Sequence, residues 1–312
     1  MIENVHITTT DGPCISIRNS SNITIRNSEI GPCGGNGIVI QTSSGVDVQN
    51  SFVHPEHHTG VCCDKGNGIL AIRSSSIVIS DSVVAYGESN IELLGVQDVQ
   101  VLNNLLVNPV GPFPRGAQVQ VWSHENTRSG NVRIEGNYAV ATKDGSHAYT
   151  EGQTDAFNFG FVDGVVVKGN YITGGIYRSG CALLAELGAN NVQILDNTLF
   201  EVGQCGIGIA GGGQQTVRGN KVYSHGISGN VGNVAIYVWN QSSSPCGPVD
   251  VSGNTAVMIR PDGSYQYNSF WNGGGCQLTL GTNVFGQKAL DALTPTSSTM
   301  TPPANAWSHW IQ

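Results

Sequence analysis

Two carboxylates stand four residues apart in TEGQTDAFNF, Glu151 and Asp155, at the mouth of a strand-like run. Hydrolysis of an acetal bond needs such a pair, one group to give a proton and the other to attack or to activate water. His147 and Tyr149, in GSHAYTEG just upstream, add groups that can give or take a proton. Arg178, in GIYRSGC, follows one repeat later. A guanidinium beside a groove fits a carboxylate ligand through two parallel hydrogen bonds. Lys65, Arg73 and Arg115 are the other cations near this loop-rich region. Each of these residues also has a plain reading: an acidic turn residue capping backbone N–H groups, or an Arg paired with Asp155 or Glu201.

HPEHHTGVCCD gathers His54, Glu56, His57, His58, Cys62, Cys63 and Asp64. The types suit a metal, but the spacing is neither that of a zinc finger nor H-E-x-x-H. His57 and His58 are adjacent and diverge on an extended chain. No metal site is assigned. No DxDxDG-type calcium loop occurs, so Ca2+ held by scattered carboxylates is the one cofactor left open.

These residues are set on a repeat. A segment of type V-x-V/I-x-G/N/D-N/S-x-apolar recurs about ten times, from ITIRNSEI at 23–30 through VRIEGNYAV at 132–140 to LTLGTNVF at 278–285. Its Val and Ile alternate with polar residues, which marks strands. A second strand precedes most of these segments: CISI, GIVI, GILAI, NIELL, AQVQVW, DAFNFGF, CALLA, CGIGI and VAIYVW. No helical periodicity separates them, which excludes a βαβ array. One turn carries a column of Asn: 104, 137, 170, 197, 220, 254 and 283. Asn tolerates left-handed backbone and bonds locally. Stacked at strand spacing, these amides would bond one another along the stack. Cys181 and Cys205 share one repeat position and should stack as a bridge or as buried thiols.

On this pattern the chain resembles the right-handed parallel β-helix superfamily, the pectate-lyase-like fold. That resemblance implies an all-β solenoid of about ten coils and three parallel sheets with an internal Asn ladder. It covers residues 1–286, and residues 287–312 are expected to form a tail packed on the helix, with Trp307 and Trp310 as anchors. The solenoid needs capped ends, and the N-terminal cap is expected to be missing from this sequence.

With Ile91/Leu93, Val119/Val121 and Phe157/Phe159 facing inward, the outward column of the second strand includes Val39, Glu92, Gln118, Gln120 and Asn158. Long excursions are expected at 54–67, 108–116, 123–131, 141–154, 225–233 and 258–275. Loops of this kind wall a groove on a rigid scaffold. Glu92, Glu151, Asp155, Arg178 and His147 are the expected catalytic groups, and Gln118, Gln120, Asn158, Tyr149 and Lys65 the expected substrate contacts.

Composition narrows the partners. Across 312 residues there are 14 Lys plus Arg and 22 Asp plus Glu, a net charge of −8 with no basic run. That disfavours nucleic acid and anionic membrane surfaces, and no apolar stretch is long enough to span a bilayer. MIENVHITTTDG has no basic and apolar leader, so Met1 is expected to head a mature or truncated segment. Eight Cys allow up to four bridges and point to an oxidising, secreted setting. A polysaccharide or oligosaccharide is the expected partner, with oligomeric state left open. The fold resemblance implies β-elimination on a uronic-acid glycan as the first expectation. Hydrolysis by paired carboxylates is the second, and a non-catalytic glycan-binding or adhesin rod the third. No motif of a specific enzyme family is present to carry over.

Overall fold

The computed structural model describes residues 1–56, 63, 65–112, 115–141, 155–174, 180–227, 232–242, 245–260, 262, 268–293 and 309–310. The strands fall into three wholly parallel sheets, two of 11 strands and one of 10. The chain visits the sheets in rotation, and every strand pairs only with those one coil before and one coil after. The first sheet runs from Ile2–Glu3 to Cys276–Leu280, the second from His6–Ile7 to Val284–Phe285, the third from Ile15–Arg18 to Phe270–Gly274. Eleven coils at strand spacing make a rod of roughly 48 Å.

Alternation in sequence becomes columns in space. In the first sheet Ile25, Val48, Ile79, Val101, Ile134, Val167 and Ile194 stand in register on successive coils. All seven are fully buried. Each contributes roughly 1.5–3 kcal/mol through apolar burial. Between the first and second sheets of the first ten coils the backbone turns through one left-handed residue per coil: Asn4, Asn27, Asn50, Asp81, Asn103, Gly136, Gly169, Asp196, Gly219 and Gly253, with φ between 43° and 71°. Types that tolerate this region occupy every one of these positions.

The residue after that turn points inward and closes the ladder. From Asn104 to Asn283, each amide nitrogen donates to the amide oxygen one coil on, at 2.9–3.0 Å in all six steps. In the earlier coils Ser28, Ser51 and Ser82 take the same position, their hydroxyls accepting from the backbone N–H of the coil before. The ladder is thus longer than the Asn column alone.

The nine second strands read from the sequence all exist, and a tenth, Phe270–Gly274, lies inside the segment 258–275 expected to be a loop. Likewise Ser129–Glu135 begins within the expected excursion 123–131. Cys14–Cys33, Cys181–Cys205 and Cys246–Cys276 are disulfide-bonded, the last two joining neighbouring coils with Cα–Cα distances of 4.3 and 4.5 Å. After the last coil, helix Gln287–Leu293 buries Ala289 and Leu290 against Val257 and Ile259. Trp310 packs in the cluster of Phe52, Val83, Leu105 and Tyr138, far toward the other end of the rod. Trp307 lies outside the described residues.

Candidate active site

The outer face of the third sheet brings chemistry-bearing side chains into line. Glu92, Gln120, Asn158, Leu184, Gly208, Tyr237 and Trp271 occupy one register position on seven consecutive coils. A parallel column two residues further on holds Leu94, Trp122, Gly160, Glu186 and Ala210.

Around the sixth and seventh coils two carboxylates converge. The Asn158 Nδ2 donates to Asp155 Oδ2 at 3.1 Å and to Glu186 Oε1 at 2.9 Å. The Cys181 backbone N–H donates to Asp155 Oδ1 at 2.7 Å. Trp122 Nε1–H donates to Asn158 Oδ1, which fixes which way the amide faces. The Trp122 indole lies across Gly160, where a Cβ would meet it at 2.7 Å. Burial pushes the Asp155 carboxyl up to about 7, against the Cys181 N–H; the Glu186 charge adds to the rise and Asn158 opposes it. Glu186 is only half-buried. The pair therefore joins a carboxyl that holds its proton near neutrality to a second one open to solvent, the division of labour that acid/base chemistry uses.

Tyr237 closes over them. It lies flat on Gly208, where an added Cβ would be 2.7 Å from the ring and its hydroxyl. Burial, then the charges of Asp155 and Glu186, raise the phenol well above its ordinary value, so it stays a neutral hydrogen-bonding group. Beyond Tyr237 a cleft of about 450 Å³ opens, lined by Trp239, Trp271, Gln204, Gln241, Asn268 and the Cys181–Cys205 bridge.

The expected residues fare unevenly. Glu92, Gln120 and Asn158 are in register on successive coils, as the alternation implied. Glu92, however, is wholly buried, with Arg115 Nε 2.8 Å from one oxygen and Asn67 Nδ2 2.8 Å from the other. A charge sealed in this way is a structural ion pair that a ligand cannot reach, and Arg115 is committed to the same pair. Gln118 does not point outward. It is fully buried, accepting from Asn90 Nδ2 at 2.7 Å and donating to the Val140 carbonyl at 3.0 Å, because the alternation breaks at the corner where the strand begins. Gln120 is buried, with its amide oxygen unpartnered among the described residues. Lys65 is exposed on the loop before the third-coil strand, its backbone N–H bonded to Glu88. Glu151, His147, Tyr149 and Arg178 lie outside the described residues.

Two members of the site were missed. Glu186 sits one residue past the strand read as CALLA, and Tyr237 is visible as an outward residue of VAIYVW once the Glu92–Gln120–Asn158 column is continued. As for metals, the described residues contain no group of three or more His, Cys, Asp and Glu arranged to hold an ion. His54 instead lies buried between Glu56, at 3.0 Å, and Glu29, at 3.2 Å. His57, His58, Cys62 and Asp64 lie outside the described residues.

Three parallel sheets wound by one chain around an Asn-lined turn define a right-handed parallel β-helix. The family model described as a right handed beta helix region matches residues 1–154 and 64–256, and the chain belongs to that family. No curated protein matches it in sequence. Among solved structures, the Dettilon tailspike protein aligns with a TM-score of 0.55 and 16% identity over 91% of this chain and 59% of its own. An alginate lyase from Paenibacillus sp. str. FPU-7 aligns at 0.51 and 10% identity, over 89% of this chain and 100% of its own. The catalytic unit of an α-1,3-glucanase from Streptomyces thermodiastaticus strain HF3-3 aligns at 0.51 and 14% identity, over 83% and 50%. The chain thus spans little more than half of the tailspike and half of the glucanase. At these identities the likeness is one of fold. Among the described residues, no helix is long and apolar enough to cross a membrane.

Proposed function

We propose that the protein is a glycoside hydrolase that cleaves a glycan lying along the outer face of the third sheet. The observation that carries the reading is the Asp155–Glu186 pair, held on one amide of Asn158. Asp155, half-protonated near neutral pH, gives its proton to the glycosidic oxygen as the bond to the anomeric carbon breaks. Glu186 attacks that carbon from the opposite face. Water then displaces Glu186 after losing a proton to Asp155, so that the net change is addition of one water across the bond. Because one nitrogen bonds an oxygen of each residue, those two oxygens are at most about 6 Å apart. That is near the ~5–5.5 Å of retaining enzymes, and retention of anomeric configuration is expected. Asn158 and Trp122 act as positioning residues.

Hydrolysis takes precedence here over the elimination first expected from the sequence. Among the described residues, the groups bonded to this pair are an amide and a backbone N–H, and Arg115 is held by Glu92. Elimination would call instead on a cation such as Arg178, which lies outside the described residues; the converging carboxyl pair is what favours hydrolysis. A glycan partner also agrees with the substrates that the names of the α-1,3-glucanase and the alginate lyase carry. Three disulfides among the described residues suit an extracellular setting.

The test is a polysaccharide panel read both for new reducing ends and for the ultraviolet absorbance of unsaturated uronates. New ends without that absorbance, lost in D155N and in E186Q, support hydrolysis. Ends accompanied by unsaturated product mean elimination and reject the assignment. Binding without cleavage of any member leaves a glycan-binding rod.

A further inference from the structure

We propose that the cleft beyond Tyr237 is a binding subsite for an uncharged sugar chain, so that the substrate is a neutral glycan running parallel to the rod axis. The inference deepens the hydrolase reading and rests on it only in placing the scissile bond at Asp155 and Glu186.

Three aromatic rings dominate the cleft. Trp239 and Trp271 remain 40% and 45% exposed, two neighbouring members of a small set of exposed large apolar side chains that also includes Phe161, Leu187 and Leu280. Their ring centroids are 5.5 Å apart with planes at 60°, and Tyr237 stands 6.3 Å from Trp271. Two of the three rings are seated on glycines. A Cβ at Gly208 would meet Tyr237 at 2.7 Å, and one at Gly273 would meet Trp239 at 2.4 Å. The rings are therefore set in place before a ligand arrives, which lowers the ordering cost of binding. Exposed, pre-set aromatic faces suit the apolar C–H face of a pyranose.

The polar rim is uncharged. Gln204, Gln241 and Asn268 are its polar side chains, and each already donates one amide hydrogen, to the Gly232 carbonyl, the Tyr237 hydroxyl and the Asn233 carbonyl. What remains is richer in acceptor lone pairs than in N–H, which complements sugar hydroxyls. No charged residue is among the described residues that line the cleft. A uronate would meet amide oxygens in front of it and the Asp155–Glu186 carboxylates behind Tyr237, with no cation from the described lining. The volume of about 450 Å³ is in the range of small-ligand sites. Trp271 is four coils beyond Asn158 in the same register column, about 19 Å at strand spacing. That direction sets the sugar chain along the rod.

The experiment titrates the full chain with neutral oligosaccharides (gluco-, xylo-, manno- and fructo-) and with oligogalacturonate and oligoalginate. It is read by tryptophan emission and by calorimetry, for the wild type, W239A, W271A and W271F. The expected result is saturable binding of a neutral series, at least tenfold weaker in W271A and partly restored in W271F, with uronate oligomers weaker still. Both tryptophans are exposed, and unchanged thermal melting confirms the fold of each variant. Equal or tighter binding of uronates, no binding by any neutral series, or unchanged affinity in both Trp→Ala variants overturns the inference. The two readings fail separately. Neutral glycans that bind through Trp271 but are never cut reject the hydrolase and leave the cleft. Hydrolysis with an unchanged KM in W271A rejects the cleft and leaves the hydrolase.

Discussion

Replacing Asp155 by Asn removes a titrating proton while nearly preserving shape, and the consequence can be read without a substrate. In the folded protein burial, helped by the Glu186 charge, holds the Asp155 carboxyl at about 7, against an ordinary 3.8. Roughly three pH units at ~1.4 kcal/mol each give an effect on the order of 4 kcal/mol. The sign follows from proton counting. Between the two values the unfolded chain binds fewer protons than the folded one, so stability falls as pH rises. The stabilisation from the protonated form is complete below about pH 4 and is lost as pH passes about 7. D155N has no such term. Urea unfolding of wild type and D155N, followed by circular dichroism at half-unit steps from acid to slightly alkaline pH, isolates it. The difference in unfolding free energy should shift by about 4 kcal/mol against the wild type across this window. Other groups titrate in both proteins and cancel, apart from Glu186, whose neighbour has changed. Repeating the comparison on an E186Q background should keep the sign and reduce the size. Parallel stability curves for wild type and D155N would show that Asp155 ionises normally, and the acid assignment would go with them.

Three further outcomes are expected. The pH dependence of kcat/KM should fall on the alkaline side with a midpoint near 7, as Asp155 loses its proton; a profile flat to about pH 9 contradicts its role as acid. Gly208→Ala places a methyl group 2.7 Å from the Tyr237 ring and must displace it. A shift on the order of 1 Å in an active site costs about 100-fold in rate, so kcat/KM should drop by roughly that factor with little change in melting; unchanged activity means that the ring's seat is immaterial. Asn170→Ala removes an amide that donates to the Ile134 carbonyl and to Asn197, and accepts from the Asn137 backbone N–H and side chain. With buried partners left unsatisfied at about 1–3 kcal/mol each, unfolding should be easier by at least ~3 kcal/mol, and a loss below ~1 kcal/mol rejects the ladder as a source of stability.

Repetition made the fold legible. Val-x-Val runs such as VVVKGNYIT fix which residues face inward, and the Gly or Asp before five of the seven ladder Asn residues marks the left-handed turn. The Ser members, in RNS, QNS and SDS, carry the same signal in a weaker form. The site was legible only where register continued unbroken. Glu92, Gln120 and Asn158 aligned as expected, but period-two alternation says nothing about what later covers a strand. Glu92 was therefore read as open, although Arg115 returns to seal it. Gln118 was misread because a corner residue does not alternate. Glu186 belongs to the site through a bond to a side chain one coil away, and no local pattern announces such a contact.

The seat of Trp310 on the early coils bears on what kind of object the solenoid is. An array whose coils touch only their neighbours can fray from either end, one unit at a time. Here Trp310, which follows the last coil in sequence, packs beside Phe52 and Val83, on coils three and four. Through that seat the two ends of the rod are joined by more than the stack of coils between them.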